Sequence, residues 1–223
     1  MKKTILITGA NKGIGLELVK RYAQTENVLA VCRTSSAELD ALPVSIYRDI
    51  DIRRNSSIKS LVSDIGDQKI DLFLNVAGIL SQEDIYDLDS AAIDRISDQF
   101  EVNALGPVKL VAAFLDKIVN GGKIIMVTSR MGSVEDNTSG SRLGYRMSKA
   151  ALNIASKSLS VDLKPRHISV GIIHPGSVQT DMTNNRGLIT VIESVDMIVE
   201  RIKDLSLETS GVFFHASGEI LPW

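Results

Sequence analysis

The chain has 223 residues, 44% of them hydrophobic and 23% charged, with a formal net charge of -2; this is the composition of a globular protein with a packed core, and it excludes a disordered one. No run of like charges is longer than the basic pair Arg53-Arg54, so neither nucleic acid nor a membrane surface is an expected partner. The single cysteine, Cys32, cannot form an internal disulfide, and the three histidines lack ligand spacing, so no metal site is expected.

From the beginning of the chain, the basic residues Lys2 and Lys3 precede an apolar run that is broken by Thr8 and Gly9, which reads as a strand and not as a secretory signal. No apolar stretch approaches the length needed to cross a bilayer. A cytoplasmic protein is expected. Short β-rich runs then recur at residues 4–8, 28–32, 44–47, 71–75, 123–127, 168–173 and 212–214. Between them lie stretches of helical spacing, such as Ile14, Leu18, Val19 and Tyr22, or Leu152, Ala155, Leu159 and Leu163. Alternating strands and helices with continuously apolar strands predict an α/β fold: a seven-stranded parallel sheet flanked by helices, doubly wound in the Rossmann manner. No linker divides the chain, so one domain over residues 1–223 is expected, with the substrate site built in. Residues 130–144 form a long polar segment of the kind that is usually functional.

After the first strand comes Gly9-Ala10-Asn11-Lys12-Gly13-Ile14-Gly15, within which the first helix begins. Glycines at this junction let the backbone approach a pyrophosphate, and the free amides of the helix start attract the anion. The second strand ends in Cys32-Arg33-Thr34 with no carboxylate to meet a ribose 2′-hydroxyl. Arg33 instead offers a planar fork to a 2′-phosphate, and Lys12 a second cation, so NADP(H) is the expected cofactor unless both are solvated surface charges. Asp51, with Ile52 beside it, closes the third strand where it meets an adenine amino group or caps a helix.

Tyr145 and Lys149 lie four apart at the start of a helical stretch, so they share one face. An ammonium beside a phenol favours the phenolate and is expected to lower the Tyr145 pKa from about 10 toward the range of general acid-base catalysis. Ser129 ends the fifth strand, where it serves either as a donor to a substrate oxygen or as a cap of the next turn. Asn103 falls in a helix interrupted by Gly106-Pro107, a local irregularity of the kind that marks a polar function such as holding a water. Asn75-Val76-Ala77-Gly78 ends the fourth strand with small residues that admit a cofactor. His174-Pro175-Gly176-Ser177-Val178-Gln179-Thr180 follows the sixth, where Pro175 and Gly176 fix a turn that aims Thr180 at a nicotinamide carboxamide; His174 itself reads as a packed side chain. No G-x-S-x-G elbow supports a hydrolase.

Together these signals resemble the short-chain dehydrogenase/reductase family over the range 4–223. The stretches 131–133, 136–139 and 145–153 and the Pro222-Trp223 ending are similar to its branch of C-factor and sniffer-like carbonyl reductases. The resemblance implies that Gly9, Gly13 and Gly15 bind the pyrophosphate and that Asn75 and Ala77 line the cofactor. It also implies that Ser129 orients the substrate oxygen, Tyr145 is the acid/base, Lys149 holds the nicotinamide ribose, and Asn103 keeps a proton-relay water. A small carbonyl or alcohol would then be the substrate, and pairing of the helices near 103–119 and 145–163 would give a homodimer or tetramer. An NADP(H)-binding signalling protein with little turnover is the alternative. Two departures stand out. Val76 replaces the family's usual second asparagine, so a hydrogen bond between central strands is missing or replaced, and the segment after Thr180 is cut short at about 181–188, leaving an open pocket.

Overall fold

The computed structural model describes residues 2–223. Its strands are β1 (Thr4–Thr8), β2 (Asn27–Val31), β3 (Ser45–Tyr47), β4 (Ile70–Asn75), β5 (Ile118–Val127), β6 (Ser169–His174) and β7 (Phe213–His215). They form one seven-stranded sheet in the order β3-β2-β1-β4-β5-β6-β7, parallel throughout. The helices are α1 (Gly13–Tyr22), α2 (Ala37–Asp40), α3 (Asn55–Ile65), α4 (Ser90–Phe100), α5 (Gly106–Phe114), α6 (Leu143–Asp162) and α7 (Val191–Asp204). The expected doubly wound architecture is therefore present.

Alternate residues along each central strand enter opposite cores, as a two-residue side-chain period requires. Ile5, Ile7, Leu72, Leu74, Ile125 and Val127 pack with Leu18 and Val19 of α1 and Val195 and Ile198 of α7. Leu6, Phe73, Ile124 and Met126 face the other way, onto Ile58 and Leu61 of α3, Leu110 and Phe114 of α5, and Leu152 of α6. Burial on both faces explains why the strands carry almost no alternation of polarity in the sequence.

Strand β5 begins five residues before the expected position 123. Its early part contains Asn120-Gly121-Gly122, with Gly121 at φ 79°, and its register against β4 shifts between Ile70 and Leu72. Residues 119–122 have no partner on β4, whose pairing passes from Ile70–Ile118 to Leu72–Lys123, so the turn the sequence suggests is present as a bulge within the strand. Between α4 and α5 the helix widens to a π turn over Glu101–Leu105, closed by the Gly106 amide donating to the Glu101 carbonyl. Pro107 follows in the first turn of α5. Among the described residues no helix is long and apolar enough to cross a membrane, and no group of three His, Cys, Asp or Glu side chains is placed to hold a metal ion.

Candidate active site

The chain order reverses at β1 and β4, and outside their carboxyl ends lies a cleft of about 990 Å³, where ligands bind in open parallel sheets. One wall is the turn from Gly9 through Asn11, Lys12, Gly13 and Ile14 to Gly15. Gly9 has φ 67°, and a Cβ there would stand 2.9 Å from the Ala77 Cα; a Cβ on Gly15 would be 2.1 Å from the Gly9 carbonyl oxygen. Side chains at either position would therefore close the turn against β4 or against itself. Lys12 precedes α1 in extended conformation, no side chain caps the helix and its first turn holds no acidic residue. The leading amides are thus open to an anion, and the turn fits a dinucleotide pyrophosphate.

At the outer end, Arg33 lines the cleft and forms no ion pair among the described residues. Lys12 instead bonds Asp181 at 3.0 Å, both side chains being about two-thirds exposed at 67% and 70%. Asp51 and Ile52 are also in the wall. Arg53 grips the Asp51 carboxylate through Nε at 3.0 Å and Nη2 at 2.9 Å, and its amide donates to Oδ1 at 3.0 Å. The guanidinium holds the Asp51 carboxyl below its ordinary pKa. Asp51 does not cap α3, whose N-cap is Arg54.

At the floor, the Thr8 hydroxyl donates to Asn75 Oδ1 at 3.1 Å and accepts the amides of Val76 at 3.1 Å and Ala77 at 3.2 Å. This knot joins β1 to the exit of β4, so the strand link expected from a second asparagine is replaced by Thr8. Asn75 is fully buried beneath the cleft, while Ala77 and Gly78 face it.

At the inner end are Tyr145 and Lys149, both buried and both in the cleft wall, with the ammonium 5.8 Å from the ring centroid. Burial pushes the Tyr145 phenol above its ordinary pKa; hydrogen bonding with the Ser129 hydroxyl and the charge of Arg142 pull it partly back. Lys149 is not among the groups that lower it, contrary to the expectation from their spacing. The lysine donates to the Val127 carbonyl at 3.1 Å, and its own burial lowers it to about 8. Of the two readings of Ser129 the capping one is observed: its Oγ accepts the Met131 amide at 3.1 Å and caps the turn that follows.

Asn103 sits in the π turn, fully buried. Its Oδ1 accepts the Ile79 amide at 2.8 Å, and Nδ2 donates to the Ile79 carbonyl at 2.8 Å and to Ser148 Oγ at 3.0 Å. The side chain therefore clamps the β4 exit to α6, with one lone pair of Oδ1 left over. A Cβ on Gly78 would stand 3.2 Å from Asn103 Oδ1 and 3.7 Å from Lys149 Nζ. Beyond β6, Pro175 and Thr180 line the cleft, and Thr180 Cγ2 lies 3.4 Å from where a Gly13 Cβ would be. Gly176 and Val178 are not part of its wall. Gly176 has φ 93°, and buried Val178 bridges Ile189. His174 packs edge-on against His215, at 5.1 Å between ring centroids.

Two residues were not picked out by the sequence reading. Glu83, buried at 5% exposure, accepts the Gly144 amide at 3.1 Å, Gln99 Nε2 at 2.6 Å and Ser81 Oγ at 2.9 Å. Gln99 in turn accepts the Ser81 amide at 2.9 Å. Alternate residues 79, 81 and 83 are thereby stitched to Asn103, Gln99 and Gly144. The four-residue spacing of Gln99 and Asn103 on one helix face was the available signal. The other is Arg142, which occupies the N-cap of α6 in left-handed conformation.

A family model for short chain dehydrogenases matches residues 3–188. The chain is 34% identical over 227 residues to 1-hydroxy-2-glutathionyl-2-methyl-3-butene dehydrogenase of Rhodococcus sp. strain AD45, with 99% of each chain covered. It is similar to the carbonyl reductase Sniffer of D. melanogaster, with a TM-score of 0.88 and 31% identity over 100% of both chains. It is also similar to the NADPH-bound carbonyl reductase from chicken fatty liver, with a TM-score of 0.89 and 28% identity, covering 100% of this chain and 99% of that one. The seven-stranded parallel sheet agrees with these matches: the chain belongs to the short-chain dehydrogenase family of oxidoreductases.

Proposed function

We propose that this chain, acting as one domain, is an NADP(H)-dependent carbonyl reductase. The observation that carries the reading is the pair of buried side chains Tyr145 and Lys149 in the wall at the inner end of a cleft whose outer end presents an unpaired Arg33. The NADPH named for the chicken carbonyl reductase supports the choice of dinucleotide. Asn11, Lys12 and Ile14, with Gly9, Gly13 and Gly15, hold the pyrophosphate, and Arg33 the 2′-phosphate. Asp51 and Ile52 flank the adenine. Asn75, Ala77, Gly78, Lys149, Pro175 and Thr180 shape the nicotinamide end, whereas Gly176 and Val178 lie behind the wall.

When bound, the reduced dinucleotide supplies a hydride to the carbonyl carbon. Ser129 holds the carbonyl oxygen, and Tyr145 donates the proton to it. The phenol is protonated at neutral pH, as the acid of a reduction must be before it gives up its proton, while its burial makes it a weaker donor than a free phenol until the site is filled. Lys149, lowered to about 8, keeps an exchangeable proton beside the phenol. Asn103 fixes the β4 exit against α6 and so the distance between the two sides of the site. Met147, Ile154 and Val161 form an exposed apolar stripe on α6, at 52%, 65% and 63% exposure, which fits pairing with a second subunit.

NADPH oxidation measured across a panel of aldehydes and ketones tests the reading. Turnover is expected for the parent and not for Tyr145→Phe, with NADPH binding kept in the variant; undiminished turnover by Tyr145→Phe would remove the acid from the mechanism.

A further inference from the structure

Asn120-Gly121 is the chain's one Asn-Gly pair, and the fold presents it at the bulge in β5. Both residues are exposed. Residues 119–122 have no partner on β4, and none on β6, where pairing starts at Lys123 with Ser169. The Gly121 amide is therefore free of both ladders, and glycine has no side chain to screen it. A nitrogen so placed is the nearest nucleophile for the side-chain carbonyl carbon of the asparagine before it.

The asparagine side chain is held in a way that favours this attack. Arg166 Nε donates to Asn120 Oδ1 at 3.0 Å, while the same guanidinium is anchored on the carbonyls of Leu115, at 2.8 Å, and Ile118. The grip is on the oxygen, and the rest of the exposed amide stays open to water. A charge-assisted donor on Oδ1 draws electrons from Cγ and stabilises the oxyanion that forms as the nitrogen adds, which is what a preorganised donor does in acyl transfer. The same guanidinium then pairs with the carboxylate that results.

We propose that Asn120 is a self-modifying site, at which the folded chain converts the asparagine to aspartate and isoaspartate with Arg166 as the oxyanion donor. The Gly121 nitrogen gives its proton to water and bonds to Cγ; the Cγ–Nδ2 bond breaks, and the amide nitrogen takes a proton from water and leaves as ammonia. Water then adds to either carbonyl of the cyclic imide. Opening at Cγ gives aspartate on the original backbone. Opening at the Asn120 main-chain carbonyl runs the chain through the side chain and lengthens it by a methylene, which an unpaired bulge accommodates more easily than a laddered strand. Nothing is oxidised or reduced and no dinucleotide takes part, so the site stands apart from the reductase reading.

The test is incubation of the whole protein at mildly alkaline pH, native and held unfolded in urea, followed by peptide mapping. The peptide that carries Asn120 is expected to gain about one dalton, with isoaspartate detected by methyltransferase labelling, at least as fast in the native protein as in urea. Conversion that is quick in urea and slow in the native protein would mean that the fold protects Asn120, and overturns the proposal. Asn120→Gln should abolish the gain, as should Gly121→Ala, whose Cβ screens the nitrogen and meets nothing within 4 Å; a gain that persists in both variants belongs to another residue and overturns it too. Arg166→Gln should slow the native conversion by about tenfold or more and leave the rate in urea unchanged. An unaltered native rate in that variant removes Arg166 as the donor.

Discussion

Glu83 stands 61 positions before Gly144, yet its buried carboxylate accepts the Gly144 amide at 3.1 Å, one residue ahead of the tyrosine assigned as acid. The contact substitutes for the side-chain cap that Arg142 does not provide, and an anion at that helix end is favourable for the dipole as well. Glu83→Ala strands the Gly144 amide and the Gln99 side chain, and is expected to cost about 2–4 kcal/mol of stability. Chemical denaturation measures it. Glu83→Gln should cost less; equal losses would mean that the charge is the whole of the effect.

His174 predicts how stability depends on pH. Burial, then His215, Arg130 and Lys149, push it from 6.5 down to about 3. The unfolded chain therefore binds a proton at that site first, and the stability present above pH 6.5 is lost as the pH falls toward 3. Between pH 6.5 and 5 the expected loss is about 2 kcal/mol. Denaturation midpoints at both values should separate in the parent and converge in His174→Phe, whose ring fills the same space against His215.

Arg33, unpaired at the outer end of the cleft, is expected to set the choice of dinucleotide. Arg33→Ala should raise the KM for NADPH by about ten- to a hundredfold while moving that for NADH far less, since only the 2′-phosphate loses a partner. Equal changes for the two dinucleotides would show that the guanidinium does not meet the 2′-phosphate. Lys12→Ala should do less, because its partner Asp181 is on the protein and the pair is exposed.

Ile154 sits at the middle of the stripe on α6. Ile154→Glu is expected to yield monomers by light scattering under conditions where the parent is a dimer or tetramer, with little change in unfolding free energy, because the side chain is exposed within one subunit. A parent that is itself monomeric would refute pairing through this face.

Much of this was legible in the sequence because it is local. Strand runs such as 71–75, the glycine turn and the four-residue spacing of Tyr145 and Lys149 each follow from neighbours along the chain. The first half of β5 was not legible, because Asn120-Gly121-Gly122 is a bulge and only the pairing of Ile118 with Ile70 on β4 makes the residues before it part of the strand. Glu83 was hidden for a similar reason: its partners Gln99 and Gly144 are 16 and 61 positions away. The direction of the Tyr145 shift depended on burial, which spacing does not reveal. Residue type and separation showed that the phenol and the ammonium meet, but not that both would be desolvated.

The hydroxyl of Thr8 has a further bearing on which positions in this chain can vary. Because it receives the amides of both Val76 and Ala77, the continuation of the seam beyond the backbone ladder of the first and fourth strands depends on one small side chain in the first. Position 76 is thereby released from hydrogen-bonding duty and packs as an aliphatic against the core beneath it. Drift among similar apolar residues there should be silent, whereas trading Thr8 for valine, nearly identical in shape, would leave two donors with nothing to hold.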